Sequence, residues 1–173
     1  MKPRDLEKPA PEPMEQRDLD QVCDLEKGCF SNPWSREIFL SDLRSEDSCC
    51  LVIRRSEEVL GYIIGWFVRD ELHVLNVAVH PRHRRKGLAR ILLDDLLRRA
   101  KERDCRGATL ELRVSNEAAL GLYQGSGFRP VAIKRGYYRR PAEDAVVMLK
   151  DFVNGSTAHP ADLEVPDGVV PQG

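Results

Sequence analysis

The stretch from Val74 to Leu97, VLNVAVHPRHRRKGLARILLDDLL, constrains the fold more than any other part of the chain. It opens as an apolar strand ending at Val79. Arg82, Arg84, Arg85 and Lys86 then crowd one short turn, Gly87 follows, and Leu88, Ile91, Leu92, Leu96 and Ala100 recur at helical spacing. A strand, a glycine turn and a helix in that order form a βα unit of an α/β sheet. The same order suits a pyrophosphate. The first N–H groups of a helix have no internal partner, and the helix dipole adds positive character there. Gly87 lets backbone approach phosphate oxygens without a Cβ in the way, and Ala89 is small for the same reason. The pattern GxxxxGK followed by Ser or Thr is absent, as is GxGxxG, so neither a Walker loop nor a dinucleotide fingerprint is present. The plain alternative is a solvated basic loop with a glycine at the helix entry.

The basic cluster is local. Lys and Arg number 27 against 28 Asp and Glu, a net charge of −1, so whole-chain electrostatics give no reason to expect a nucleic-acid or membrane partner. The N-terminal residues lack the apolar core of a signal peptide, and no apolar run is long enough to span a bilayer. A cytoplasmic protein is expected. Cys23, Cys29, Cys49, Cys50 and Cys105 show no CxxC pair and no zinc spacing, so they read as small apolar residues in a reducing compartment, with no metal site.

Residues 1–13 mix Pro3, Pro9, Pro11 and Pro13 with charges and read as a disordered leader, as do residues 154–173 as a disordered tail. One folded domain is expected over residues 14–153. Its patterns run as helices, an antiparallel meander, then strand, helix, strand, helix and two further strands. That is an α/β domain around one mixed sheet flanked by helices.

TLELRVSNEAALGLYQGSGF carries the second half of the chemistry. Period two puts Thr109, Glu111 and Arg113 on one face of a strand and Leu110 and Leu112 on the other. A mid-strand carboxylate is costly to bury without a partner or a task; the plain alternative is an ion pair with Arg113 or another neighbour. Asn116 suits the cap of the next helix, and Tyr123 falls on the same side of that helix as Asn116. For Tyr123 the plain alternative is core packing.

Arg84-x-x-Gly87-x-Ala89 resembles the acetyl-CoA signature Q/R-x-x-G-x-G/A of the GCN5-related N-acetyltransferases (GNAT). With LELRVSNEAALGLYQGSGF, RGYY, EDAVVM and NPWS in their places, the chain resembles the RimI branch of that superfamily, whose members acetylate the N-terminal alanine of a small-subunit ribosomal protein. The likeness covers about Met14 to Lys150. It implies a mixed, mostly antiparallel sheet of about six to seven strands, splayed between the strand ending at Val79 and the one starting near Ala108. Acetyl-CoA would fill the splay. Val77, Ala78 and Val79 would hold the pantetheine and acetyl group, and Arg85, Lys86, Gly87, Leu88, Ala89 and Arg90 the pyrophosphate, with Asn116 also touching the cofactor. Glu111 would match the general base and Tyr123 the general acid. Tyr137 and Tyr138, near the last turn, and Trp34 would face the peptide. The function expected is transfer of acetyl to a protein N-terminus, with a ribosomal-protein substrate. Two other readings stay open: a GNAT enzyme acting on a small amine or a lysine side chain, and a non-catalytic module that binds acyl-CoA or nucleic acid. Oligomeric state is not readable from these residues.

Overall fold

The structure, a computed structural model, describes residues 9–152. The proposed leader residues 1–8 and the tail 154–173 lie outside the described residues. The elements are β1 (Pro11–Pro13), α1 (Leu19–Cys29), α2 (Arg36–Arg44), β2 (Ser48–Arg55), β3 (Glu58–Val68), β4 (Glu71–Val79), α3 (Leu88–Glu102), β5 (Gly107–Arg113), α4 (Glu117–Gly125), β6 (Arg129–Arg139) and β7 (Ala142–Asp151). The strands make one seven-stranded sheet in the order β1-β2-β3-β4-β5-β7-β6. Every neighbouring pair is antiparallel except β4 and β5.

Residues 11–13, expected to lie in the leader, form a strand. Pro11–Pro13 pair with Leu51–Ile53 as an edge strand, the one place in a sheet where prolines do not break a ladder. Their proline content had suggested only a leader. A side chain fixes the strand: Arg54 pairs with Glu12 at 2.7 Å and grips Asp18 through both carboxylate oxygens, while burying almost all of its own surface.

Helices cover both faces of the sheet. Leu88, Leu92, Leu93, Leu96, Leu97 and Ala100 form the apolar stripe of α3, and they pack with Ile63, Leu72, Val74, Leu110 and Leu112 from the strands. Each leucine buried this way contributes about 2 kcal/mol. On the opposite face Leu19, Val22, Leu25 and Phe39 from α1 and α2 pack with Val52, Tyr62, Ile64, Leu75 and Ala78. The strands between are buried on both sides, which is why VLGYIIGWFV is apolar almost throughout.

A bulge breaks the alternation of β4. Gly65 pairs with Val74 but Ile64 pairs with Asn76, leaving Leu75 as the extra residue. Val74 and Val77, three apart, therefore both pack toward α3. Leu75 and Ala78 point toward α1. Gly61 lies opposite Val79, where a Cβ would stand 2.8 Å from the Ala78 carbonyl oxygen. Only glycine lets β3 come this close to the end of β4.

Candidate active site

The parallel pair at the sheet's centre comes apart. The ladder between β4 and β5 is confined to Glu71–Gly107, Leu72–Ala108 and His73–Thr109. Beyond it, residues 74–79 stay paired with β3 and residues 110–113 with β7. Strand residues present their backbone groups alternately to either side. The ends of β4 and β5 therefore turn unpaired N–H and C=O groups toward the gap between them. Val77, Ala78 and Val79 line one wall of this splay.

The basic turn continues from Val79. Arg85, with φ at 62°, and Gly87, at 78°, are both left-handed and bend the loop into the first turn of α3. No side chain caps α3 and its first turn holds no acidic residue. The amides of Leu88, Ala89 and Arg90 are thus free of the usual side-chain competitor. The space where a Gly87 side chain would stand is open. Arg85 and Lys86 are exposed beside it. Open helix amides, a left-handed glycine and adjacent cations fit a diphosphate.

Two arginines of this turn are already engaged. Arg84 folds back, donating from Nε to the Val79 carbonyl at 3.2 Å and approaching Cys29 Sγ at 3.3 Å. Arg90 bonds Asp94 and the Gly125 carbonyl, so its guanidinium is engaged within the chain and its main-chain amide is the group left open at the helix start. Asn116 is committed likewise: its amide oxygen accepts from Ala119 N at 3.1 Å and caps α4.

Glu111 and Tyr123 lie on opposite faces of the sheet. Tyr123 sits in the α3-side core with Leu110 and Leu112, its ring edge-on to Phe128 at 5.7 Å. Burial raises its pKa, so the phenol stays protonated across the neutral range. Glu111 points the other way, toward the α1 side, and is 7% exposed. Its partner is not Arg113, which bonds Glu143 and the Arg140 and Pro141 carbonyls, but Lys134, whose Nζ stands 2.7 Å from Oε1. A compound in the splay would meet a phenol on one side and a carboxylate on the other.

The peptide-facing residues divide. In β6, residues 135–137 oppose Asp144 alone, and Gly136, at φ 60°, donates its amide to that carboxylate at 2.8 Å. This bulge leaves Tyr137 half-buried, with its ring 5.3 Å from Lys134 Nζ. Tyr138 is instead buried, with the Arg113 guanidinium 4.1 Å above its ring. It is a packing residue and not a second open wall. Trp34 is also in the core, 7% exposed and packed on Phe39 at 5.7 Å.

Sequence reasoning missed what holds Trp34. Glu26 of α1 is fully buried and accepts three hydrogen bonds: from Trp34 N at 2.9 Å, from Asn76 Nδ2 at 3.0 Å and from the Tyr62 hydroxyl. Burial raises its pKa against the pull of these donors. It ties α1, the Asn32–Pro33–Trp34 loop and the bulged part of β4 into one unit. The available signal was the exception it makes in α1, a carboxylate immediately after Leu25 on the buried side. Among the described residues no cluster of His, Cys, Asp and Glu could hold a metal ion. Nor is any described helix long and apolar enough to cross a membrane.

Comparison with known proteins agrees with this geometry. A profile of the Acetyltransferase (GNAT) family matches residues 19–128. A Bacillus subtilis (strain 168) protein, provisionally named a ribosomal protein bS18-alanine N-acetyltransferase, is 35% identical over 136 residues, covering 78% of this chain and 90% of its own. The Escherichia coli (strain K12) ribosomal protein bS18-alanine N-acetyltransferase is 33% identical over 137 residues, 78% of this chain and 92% of its own. The crystal structure of the Escherichia coli ribosomal-protein-S18-alanine N-acetyltransferase superposes with a TM-score of 0.77 at 30% identity, over 91% of this chain and all of that one. The splayed α/β sheet, the open α3 terminus and these likenesses lead to one conclusion: the chain belongs to the acetyltransferase (GNAT) family, in its RimI-type branch, and is an acetyl-CoA-dependent acetyltransferase.

Proposed function

We propose that this enzyme acetylates the N-terminal α-amine of a protein in the cytoplasm, and that its substrate is the alanine-type N-terminus of the small-subunit ribosomal protein S18. The observation that carries this reading is the splay between β4 and β5, with Glu111 on the face opposite the α3-side core. Cofactor and peptide can then approach the thioester from different sides. The named relatives support the choice of substrate.

In this reading the amides of residues 85–90 and the side chains of Arg85 and Lys86 hold the diphosphate. Backbone groups of Val77–Val79 hold the pantetheine and aim the thioester, and Asn116 borders the cofactor through its cap of α4. Tyr137 forms a wall for the peptide, with Trp34 behind it as support. The neutral α-amine attacks the thioester carbonyl carbon, forming the C–N bond. Glu111 takes the surplus amine proton, directly or through water. Main-chain N–H groups near Val79 stabilise the oxyanion. The C–S bond then breaks, and the Tyr123 phenol gives its proton to the thiolate, regaining one from solvent. Burial keeps the phenol protonated and so available as a donor. Because a thiol near pKa about 8.5 is the stronger acid, the transfer runs uphill and is drawn forward by departure of CoA and reprotonation of the phenol.

The test uses peptides. With acetyl-CoA, a peptide copying the S18 N-terminus should gain one acetyl group at its α-amine by mass spectrometry. The same peptide with a blocked N-terminus and free lysines should gain none. Preferential acetylation of the lysines would contradict the reading.

A further inference from the structure

Lys134 reaches from β6, where it sits opposite Ala145 of β7, across to the Glu111 carboxylate of β5. The pair is asymmetric: the Glu111 side chain is 6% exposed and that of Lys134 35%. While bonded to Glu111, the lysine Nζ also lies 5.3 Å from the centre of the Tyr137 ring. The surrounding charges are accounted for. His73 of β4, beside Thr109 at 3.3 Å, is held neutral: burial, and then the Lys134 charge, push its pKa down to about 4. Burial, followed by the negative charge of Glu111, raises that of Tyr137 and keeps it neutral too. On β7, Glu143 is bound to Arg113 and Ser115 N, and Asp144 to Gly136 N and Arg135. On α1, Glu26 is enclosed by its own three donors. Glu71 lies 4.0 Å from the His73 ring, and Glu111 has Lys134 as its cation.

We propose that Lys134 is a positioning residue that selects the neutral form of the substrate amine: because Glu111 is already paired, an α-ammonium arriving there meets a like charge, whereas the free amine does not. The inference rests on the reading of Glu111 as the group that meets the substrate amine. A free α-amine has a pKa of about 7.7–8.0, so at neutral pH most of it is protonated and cannot attack. A cation close by favours loss of that proton, the same device that activates a lysine placed beside another cation. The proton leaves to Glu111 or to water, and Lys134 keeps its own. Lys134 makes and breaks no covalent bond.

The experiment is the pH dependence of kcat for an alanine-starting peptide at saturating acetyl-CoA, in the full chain, for wild type, K134M, K134R and E111Q. In K134M the pH of half-maximal kcat should rise by about one unit. At pH 7 kcat should fall while the peptide KM does not rise, and above pH 9 kcat should return toward wild type. K134R should track wild type. A purely structural role would depress kcat at every pH and raise KM. If the K134M profile superimposes on wild type while E111Q is impaired, the role given to Lys134 is wrong and the acetyl-transfer reading stands. If E111Q keeps full turnover, the assignment of Glu111 fails and the inference with it. Should K134M not fold, K134Q tests the same shift with the same two outcomes.

Discussion

The two sides of the splay are built differently. The side proposed for the cofactor is one continuous segment, Val77 to Arg90, and offers main-chain amides and exposed cations. The side proposed for the substrate is assembled from residues far apart in the chain. Glu26 meets partners 36 and 50 residues away, and Glu111 meets Lys134 from a strand beyond its neighbour. One side is solvated; the other is buried, where leaving a donor without an acceptor is costly. Diphosphates look alike on every acyl-CoA, whereas peptide N-termini differ, so the precise contacts are concentrated where selection is required.

This contrast can be broken or sharpened by mutation. The largest effect is expected at Glu111: E111Q should lower kcat by about 10²- to 10⁴-fold, the range typical of losing a general acid or base, with acetyl-CoA affinity retained. Y123F should also slow turnover without weakening acetyl-CoA binding, and a full-rate Y123F enzyme would remove Tyr123 from the mechanism. Next comes E26A, which strands three buried donors and should cost about 3 kcal/mol in urea unfolding. If E26A were as stable as wild type, the substrate side would not depend on its buried network. On the cofactor side the double variant R85A/K86A should leave stability unchanged and weaken CoA binding about tenfold in calorimetry, less so at high salt. The smallest effect lies away from both sides. Burial raises the Asp18 pKa, but its bonds to Arg54 and Glu15 N outweigh this and leave it below the usual value. An acid with a lowered folded pKa stabilises the fold above its unfolded pKa, near 3.9, and loses that contribution as pH falls through the folded value. D18N should therefore flatten the dependence of stability on pH below about pH 4.

The same contrast governs what could be read from the sequence. The strand, glycine turn and stripe of α3 were legible because their signals are local: period two, a left-handed glycine and leucines at helical spacing. Glu111 stood out as a charge in the middle of an apolar strand. Its partner did not, since Lys134 reaches it across β7 and no spacing rule records that distance. Asn76 looks like an ordinary strand residue until the bulge at Leu75 turns it toward Glu26. The resemblance placed Trp34 and Tyr138 at the peptide, but Trp34 packs on Phe39 with its main-chain N–H held by Glu26, and Tyr138 lies buried under Arg113 of another strand. Asn116 was readable as both cap and cofactor contact, and its amide oxygen is spent on the cap.

The central claim is that the thioester lies between the separated ends of β4 and β5, reached by cofactor from the α3 face and by peptide from the other. A crystal structure with CoA and an alanine-starting peptide tests it most directly. The account predicts diphosphate oxygens on the amides at the start of α3, the sulfur in the gap past His73 and Thr109 with the Tyr123 hydroxyl toward it, and the peptide amine on the Glu111 side. CoA bound outside that gap, or a peptide amine entering from the same face as the cofactor, would contradict it.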